Sequence, residues 1–216
     1  MKSDRELQQD VLAELKWDPR INAANIGVEV IRGVVTLSGH VDSLAEKWNA
    51  EQAAKRVFGV KTIAIELDVM VPGSNQKSDT EIALAVNDAL KWNIYKLRDR
   101  VSIKVEDGIV TLTGEVNWFH ERLSAENSIR YITGVRSVNN LIYIKPSVSL
   151  NLVKIDIERA LKRRAHEDAQ DISVSVQGDE VILGGKVHNW VEKSLAIDAV
   201  WGVPGVKKVT DHMVFA

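Results

Sequence analysis

The side chains that could do chemistry in this 216-residue chain are five histidines, 30 acidic and 28 basic residues. There is no cysteine, which excludes a disulfide scaffold, thiolate zinc sites and a cysteine nucleophile. His40, His120, His166, His188 and His212 form no H-E-x-x-H pattern, and the chain has no G-x-S-x-G, Walker loop or G-x-G-x-x-G. The glycine-bounded run Gly33…Gly39 invites a phosphate-loop reading, but it leads from one expected strand into another, so it is read as a hairpin. No catalytic residue, cofactor or metal site is expected.

Two sets of carboxylates recur at matched positions. Asp4 and Asp79 fall in the first turn of expected helices, where negative charge suits the helix dipole. Glu46, Glu121 and Glu192 are each followed by a base, Lys47, Arg122 and Lys193. They read as first-turn acids beside solvated bases, with an ion or head-group contact as the alternative.

The remaining chemistry is that of surfaces. A net charge of −2, with no basic copy of the repeat described below, argues against a nucleic-acid partner. Lys162-Arg163-Arg164 is the only basic triplet and follows Leu161 at a helix end, where cations suit the free carbonyls. Contact with anionic lipid is its alternative reading, although a basic patch usually needs more than three residues. Of the six tryptophans, Trp48 stands opposite Leu123 and Ser194, Trp118 opposite Ser43 and Asn189, and Trp201 opposite Lys55 and Arg130. These three are the expected contact points, for another domain before a partner protein or lipid, together with Lys162, Arg163 and Arg164. Trp17 and Trp92 match each other at the end of a first helix, and the third copy has Arg163 there.

The elements that position these residues repeat three times. Gly33-Val-Val-Thr-Leu-Ser-Gly39 recurs as Gly108-Ile-Val-Thr-Leu-Thr-Gly114, and a third version runs from Asp179 to Gly185. Twenty residues on come Gly59-Val60, Gly134-Val135 and Gly205-Val206. Leu7, Val11 and Leu15, then Ile82, Val86 and Leu90, then Val153, Ile157 and Leu161 give the apolar stripe of a helix. Ser3 with Glu6 and Ser78 with Glu81 have capping-box spacing. Alternating Ile26-Val28-Val30 and its equivalents predict a strand, Arg32-Gly33 and Asp107-Gly108 a turn, and Val35-Leu37 a returning strand. A second helix and a last strand complete each copy.

The expected fold is α+β: three tandem α-β-β-α-β domains, each a three-stranded mixed sheet with two helices on one face. Domains are expected at 1–71, 79–145 and 150–216, with linkers at 72–78 and 146–149. On the uncovered sheet faces, copy 1 places Glu29, Ser38, Glu66 and Asp68. Copy 2 places Leu141 and Tyr143, and copy 3 Ile182 and Val214. The less polar faces are expected to pack on another domain or chain.

An α-β-β-α-β unit with G-x-V-T-L-x-G-x-V followed by G-V-x-x-V resembles the BON domain, a family named for OsmY-type osmotic-stress and nodulation proteins of bacteria. The match rests on Gly33 to Val41 with Gly59 to Ile63, Gly108 to Val116 with Gly134 to Val138, and Val181 to Val187 with Gly205 to Val209. The resemblance implies a non-catalytic module that contacts phospholipid or envelope surfaces, with Gly33, Gly39, Gly59, Gly108, Gly114, Gly134, Gly185 and Gly205 as its structural signature. The functional expectation is a non-enzymatic binding or scaffold protein linked to osmotic or envelope stress. The alternatives are a peripheral phospholipid-binding protein and a module sensing K⁺ or a divalent ion. No run of about 18 apolar residues spans a membrane. The expected location is the cytoplasm, or the periplasm if a signal peptide has been removed. The oligomeric state stays open.

Overall fold

A computed structural model describes residues 2–93, 95, 97–145, 172–177, 180–203 and 206–216. In copy 1 the order is α1 (Asp4–Trp17), β1 (Ile26–Ile31), β2 (Val34–Val41), α2 (Leu44–Arg56) and β3 (Thr62–Val69). Copy 2 repeats it as α3 (Asp79–Trp92), β4 (Val101–Glu106), β5 (Ile109–Val116), α4 (Phe119–Ile129) and β6 (Ser137–Ile144). In copy 3 the described elements are β7 (Ile172–Gln177), β8 (Glu180–Val187), α5 (Trp190–Trp201) and β9 (Lys208–Phe215). Its expected first helix and the turn at 178–179 lie outside the described residues. Tertiary contacts divide the chain into two compact units, 1–113 with 125–141 and 114–124 with 142–216.

Each copy has a three-stranded sheet with its hairpin-returning strand in the centre, in the orders β1-β2-β3, β4-β5-β6 and β7-β8-β9. The sheets are mixed. β1 runs antiparallel to β2 while β3 runs parallel to it, and β7, β8 and β9 repeat that pairing. The parallel step follows from the helix between the two strands, since such a pair needs a crossover.

Alternation decides which face is covered. Val28 faces Leu37 across the β1–β2 ladder, and both point into the core with Ile26, Val35, Val41 and Leu67. Leu7, Val11 and Leu15 of α1 and Ala50, Ala53 and Ala54 of α2 close that side. Fully burying a Leu or Val contributes about 1.5–3 kcal/mol, and alanines at the contact let α2 lie close. In copy 3 the core gathers Val181, Leu183, Val187, Ala196, Val200 and Met213. Both expected capping boxes form: Ser3 and Ser78 accept the Glu6 and Glu81 N–H groups, and each glutamate bonds back to its serine.

The opposite faces differ by copy, as alternation predicts. Glu29, Glu66 and Asp68 are exposed in copy 1. Leu141, Tyr143 and Val214 are exposed as well, at 65%, 54% and 57%, while Ile182 is half-buried. The cover expected for Leu141, Tyr143 and Val214 is not supplied by the described part of this chain.

Candidate functional site

The recurring carboxylates act on the backbone. Asp4 accepts hydrogen bonds from the N–H groups of Arg32 (2.7 Å) and Gly33 (2.9 Å), and Asp79 accepts from Asp107 and Gly108 (2.9 Å each). All four donors have positive φ, from 51° to 78°. Successive N–H groups in that conformation converge on one point and favour an anion there. The first helix thus straps the hairpin turn through its acid, a tie beyond the dipole role expected for it.

Glu46 is buried and bridges two chain segments. One oxygen accepts the Asn22 N–H at 2.6 Å and the other the Asp42 N–H at 2.9 Å. Glu121 accepts from Asn117 and Trp118, and Glu192 from His188. The bases beside them are not the solvated groups that the sequence suggests. Lys47 Nζ donates to the Leu67 carbonyl on β3 at 2.6 Å. Lys193 Nζ donates to the matching Met213 carbonyl at 3.2 Å and pairs with Asp211 at 2.7 Å. The Glu-Lys dipeptide fastens the entry to the second helix with one side chain and the last strand with the other.

Asp18, just past α1, is buried among cations. Arg20 Nε and Nη2 donate to it at 2.9 and 2.7 Å, and Arg56 Nη2 approaches at 3.4 Å while its Nε reaches Glu14 at 2.9 Å. The side-chain bonds from Arg20, ahead of the backbone bond and the charge of the same residue, hold the Asp18 carboxyl well below the usual range despite its burial. A depressed carboxyl stabilises the fold above its unfolded pKa of about 3.9, and that contribution fades as pH falls through the lower folded value. Asp18→Asn should therefore lower the thermal midpoint at pH 7, with the gap to the parent closing as pH falls from about 4 towards 2. A gap of constant size across that range contradicts the linkage.

The tryptophans separate into two groups. Trp48, Trp118 and Trp201 are half-buried and have ring partners in the chain. The Arg130 guanidinium lies over the Trp48 ring at 4.5 Å, beside a groove of about 150 Å³ lined by Leu44, Trp48, Arg130 and Val138. Trp201 stacks on Phe119 at 3.8 Å with planes 10° apart, and Trp118 stacks on His120 at 5.7 Å. Trp17 and Trp92 are 85% and 80% exposed at the ends of α1 and α3. Each follows a lysine, and Lys91 Nζ lies 5.7 Å from the Trp92 ring centre. Lys162, Arg163 and Arg164 lie outside the described residues, as does Gly205. In repeat register Lys162-Arg163 stands where Lys16-Trp17 and Lys91-Trp92 stand. The matched Lys-Trp pair is the signal that marks these exposed tips.

The described residues offer little else to a ligand. No three of His, Asp and Glu among them converge as a metal-binding set, and no helix among them is long and apolar enough to cross a membrane. An open cleft of about 480 Å³ beside α3 is lined by Lys77, Asp79, Asp107 and Arg136, but Asp79 already fills the turn that faces it. The signature glycines Gly33, Gly39, Gly59, Gly108, Gly114, Gly134 and Gly185 all have positive φ.

Comparison with known proteins finds the BON domain at residues 3–70, 78–146 and 153–216. The chain is 30% identical over 141 residues to Osmotically-inducible protein Y of Escherichia coli (strain K12), which covers 63% of this chain and 70% of that protein. Among solved structures it is similar to CdsD, a structural protein of the type III secretion system of Chlamydia trachomatis. The identity is 16% and the TM-score 0.28, over 98% of this chain and 92% of that one. It is similar also to the PrgH periplasmic domain, at 14% identity and a TM-score of 0.24 over 96% and 99%.

Proposed function

The chain belongs to the BON domain family through all three of its repeats, and from that premise we propose that it is a non-enzymatic binding protein of the osmotic-stress response. The observation that carries this reading is the pair of matched tryptophans, Trp17 and Trp92, held in solvent at the ends of α1 and α3. A large ring left in water at the same place in two copies suits a partner, because Trp and Arg concentrate binding energy at protein contacts. Arg20, three residues on from Trp17 in the sequence, is more than half exposed while it holds Asp18. The likeness to a protein named for osmotic induction supports the setting. Meanwhile the recurring carboxylates, which would be the first candidates for catalysis, are taken up by backbone N–H groups.

The test combines folding and physiology. Replacing both Trp17 and Trp92 by alanine should leave the unfolding midpoint within about 0.5 kcal/mol of the parent, as is usual for exposed sites. The same double variant, supplied to a deletion strain, should fail to restore growth at high osmolarity. Full restoration by the double variant sinks the proposal.

A second reading, direct phospholipid binding, draws on the lysine beside each exposed tryptophan, an arrangement suited to a membrane interface. It ranks lower because α1 and α3 each carry more acidic than basic residues, which opposes attraction to anionic head groups. Flotation separates the two. Failure of the parent chain to float with anionic vesicles at low salt removes the lipid reading.

A further inference from the structure

We infer that consecutive copies are joined by one recurrent contact, in which a flat side chain at the end of the later copy's second helix lies on the start of the earlier copy's second helix. Arg130 and Trp201 occupy the same repeat position, which Lys55 fills in copy 1; Leu44, Phe119 and Trp190 occupy another. Arg130 follows directly on α4, and Trp201 is the last residue of α5. Between copies 1 and 2, the Arg130 guanidinium covers Trp48, which lies one turn along α2 from Leu44, and both residues line the groove there. Between copies 2 and 3, the Trp201 indole covers Phe119, the first residue of α4. The partners change from cation and indole to indole and phenyl, yet the helix end and helix start that supply them do not.

The chemistry of each contact fits the positions. Only 10% of the Arg130 side chain is exposed, and Glu126 one turn back holds its outer edge at 3.3 Å, which leaves the guanidinium face for the ring. The Phe119 and Trp201 rings lie nearly parallel with their centres 3.8 Å apart, a stacked contact. In copy 1 the same position holds Lys55, which pairs with Glu51 of its own helix at 2.5 Å. In copies 2 and 3 the position holds a flat side chain, and in each it lies on the copy before. This contact, rather than the linker alone, ties each copy to the next.

Backbone amide exchange on the full chain tests the contact, because a joint transmits a loss to the other copy. Arg130→Ala should speed exchange across residues 44–51 of copy 1 by about fivefold, although the substitution lies in copy 2. Arg130→Lys keeps the charge and its partner Glu126 without the flat face, so it should produce most of the same acceleration. Trp201→Ala should do likewise around residues 117–121. Acceleration confined to the substituted residue's own copy overturns the inference. So does an Arg130→Lys chain that exchanges like the parent, since charge alone would then account for the contact.

Discussion

Glu46→Ala should cost about 3–4 kcal/mol of unfolding free energy, far more than the loss of an ordinary first-turn acid at 0.3–1 kcal/mol. The carboxylate is buried, and its two oxygens accept N–H groups from Asn22 and Asp42 at 2.6 and 2.9 Å. Hydrogen bonds to a charged group contribute about 1.5–3 kcal/mol each, and deletion would leave both N–H groups without their acceptor. Ser43 still caps α2 by accepting the residue-46 N–H at 3.1 Å, so the helix start survives and the loss falls on the two joined segments. Glu46→Gln keeps one acceptor and turns an amide N–H towards a backbone N–H, so it should retain less than half of the stabilisation. Urea unfolding followed by circular dichroism measures both variants. A cost below 1 kcal/mol for the alanine variant would mean that water replaces the carboxylate.

The contrast between Glu46 and the capping serines shows what a sequence can and cannot carry. Ser3 and Glu6 meet because three residues of helix bring them together, so spacing alone predicts the contact. The strands are equally legible, since the period-2 pattern of Ile26, Val28, Val35 and Leu37 records which face is dry. Glu46 meets Asn22 across 24 residues of chain, and no local period encodes which backbone N–H will arrive there. Alternation also names a face without saying what covers it, which is why Leu141 and Tyr143 suggested a partner that the described chain does not supply. The tryptophans follow the same logic. Trp48, opposite Leu123 and Ser194, and Trp201, opposite Lys55 and Arg130, stand out in the repeat, and both meet a side chain of a neighbouring copy, Arg130 and Phe119. Trp17 and Trp92 look unexceptional because they match each other, yet they remain in solvent.

Gly39→Ala should be the other severe substitution, at about 3 kcal/mol or more, and comparison with Gly33→Ala shows why. Both glycines have positive φ, +111° at Gly39 and +78° at Gly33. Left-handed backbone costs an L-residue roughly 1–2 kcal/mol, and that strain is common to the two. Gly33 sits at the hairpin tip, where an added Cβ would meet nothing within 4 Å. Gly39 lies inside the central strand, paired with Ile26 on one side and Leu67 on the other. A Cβ there would collide with the backbone carbonyl oxygen of Asn25. A backbone atom just ahead of an edge strand cannot swing aside as a side-chain end can, so relief must come from moving β1 away from β2 and loosening the ladder. Gly33→Ala should therefore cost about 1–2 kcal/mol and Gly39→Ala at least 1 kcal/mol more, measured side by side by thermal unfolding. Equal costs would mean that conformational strain alone accounts for both glycines. The larger loss at Gly39 would assign the motif's second glycine to the close approach of β1, and its first to the turn.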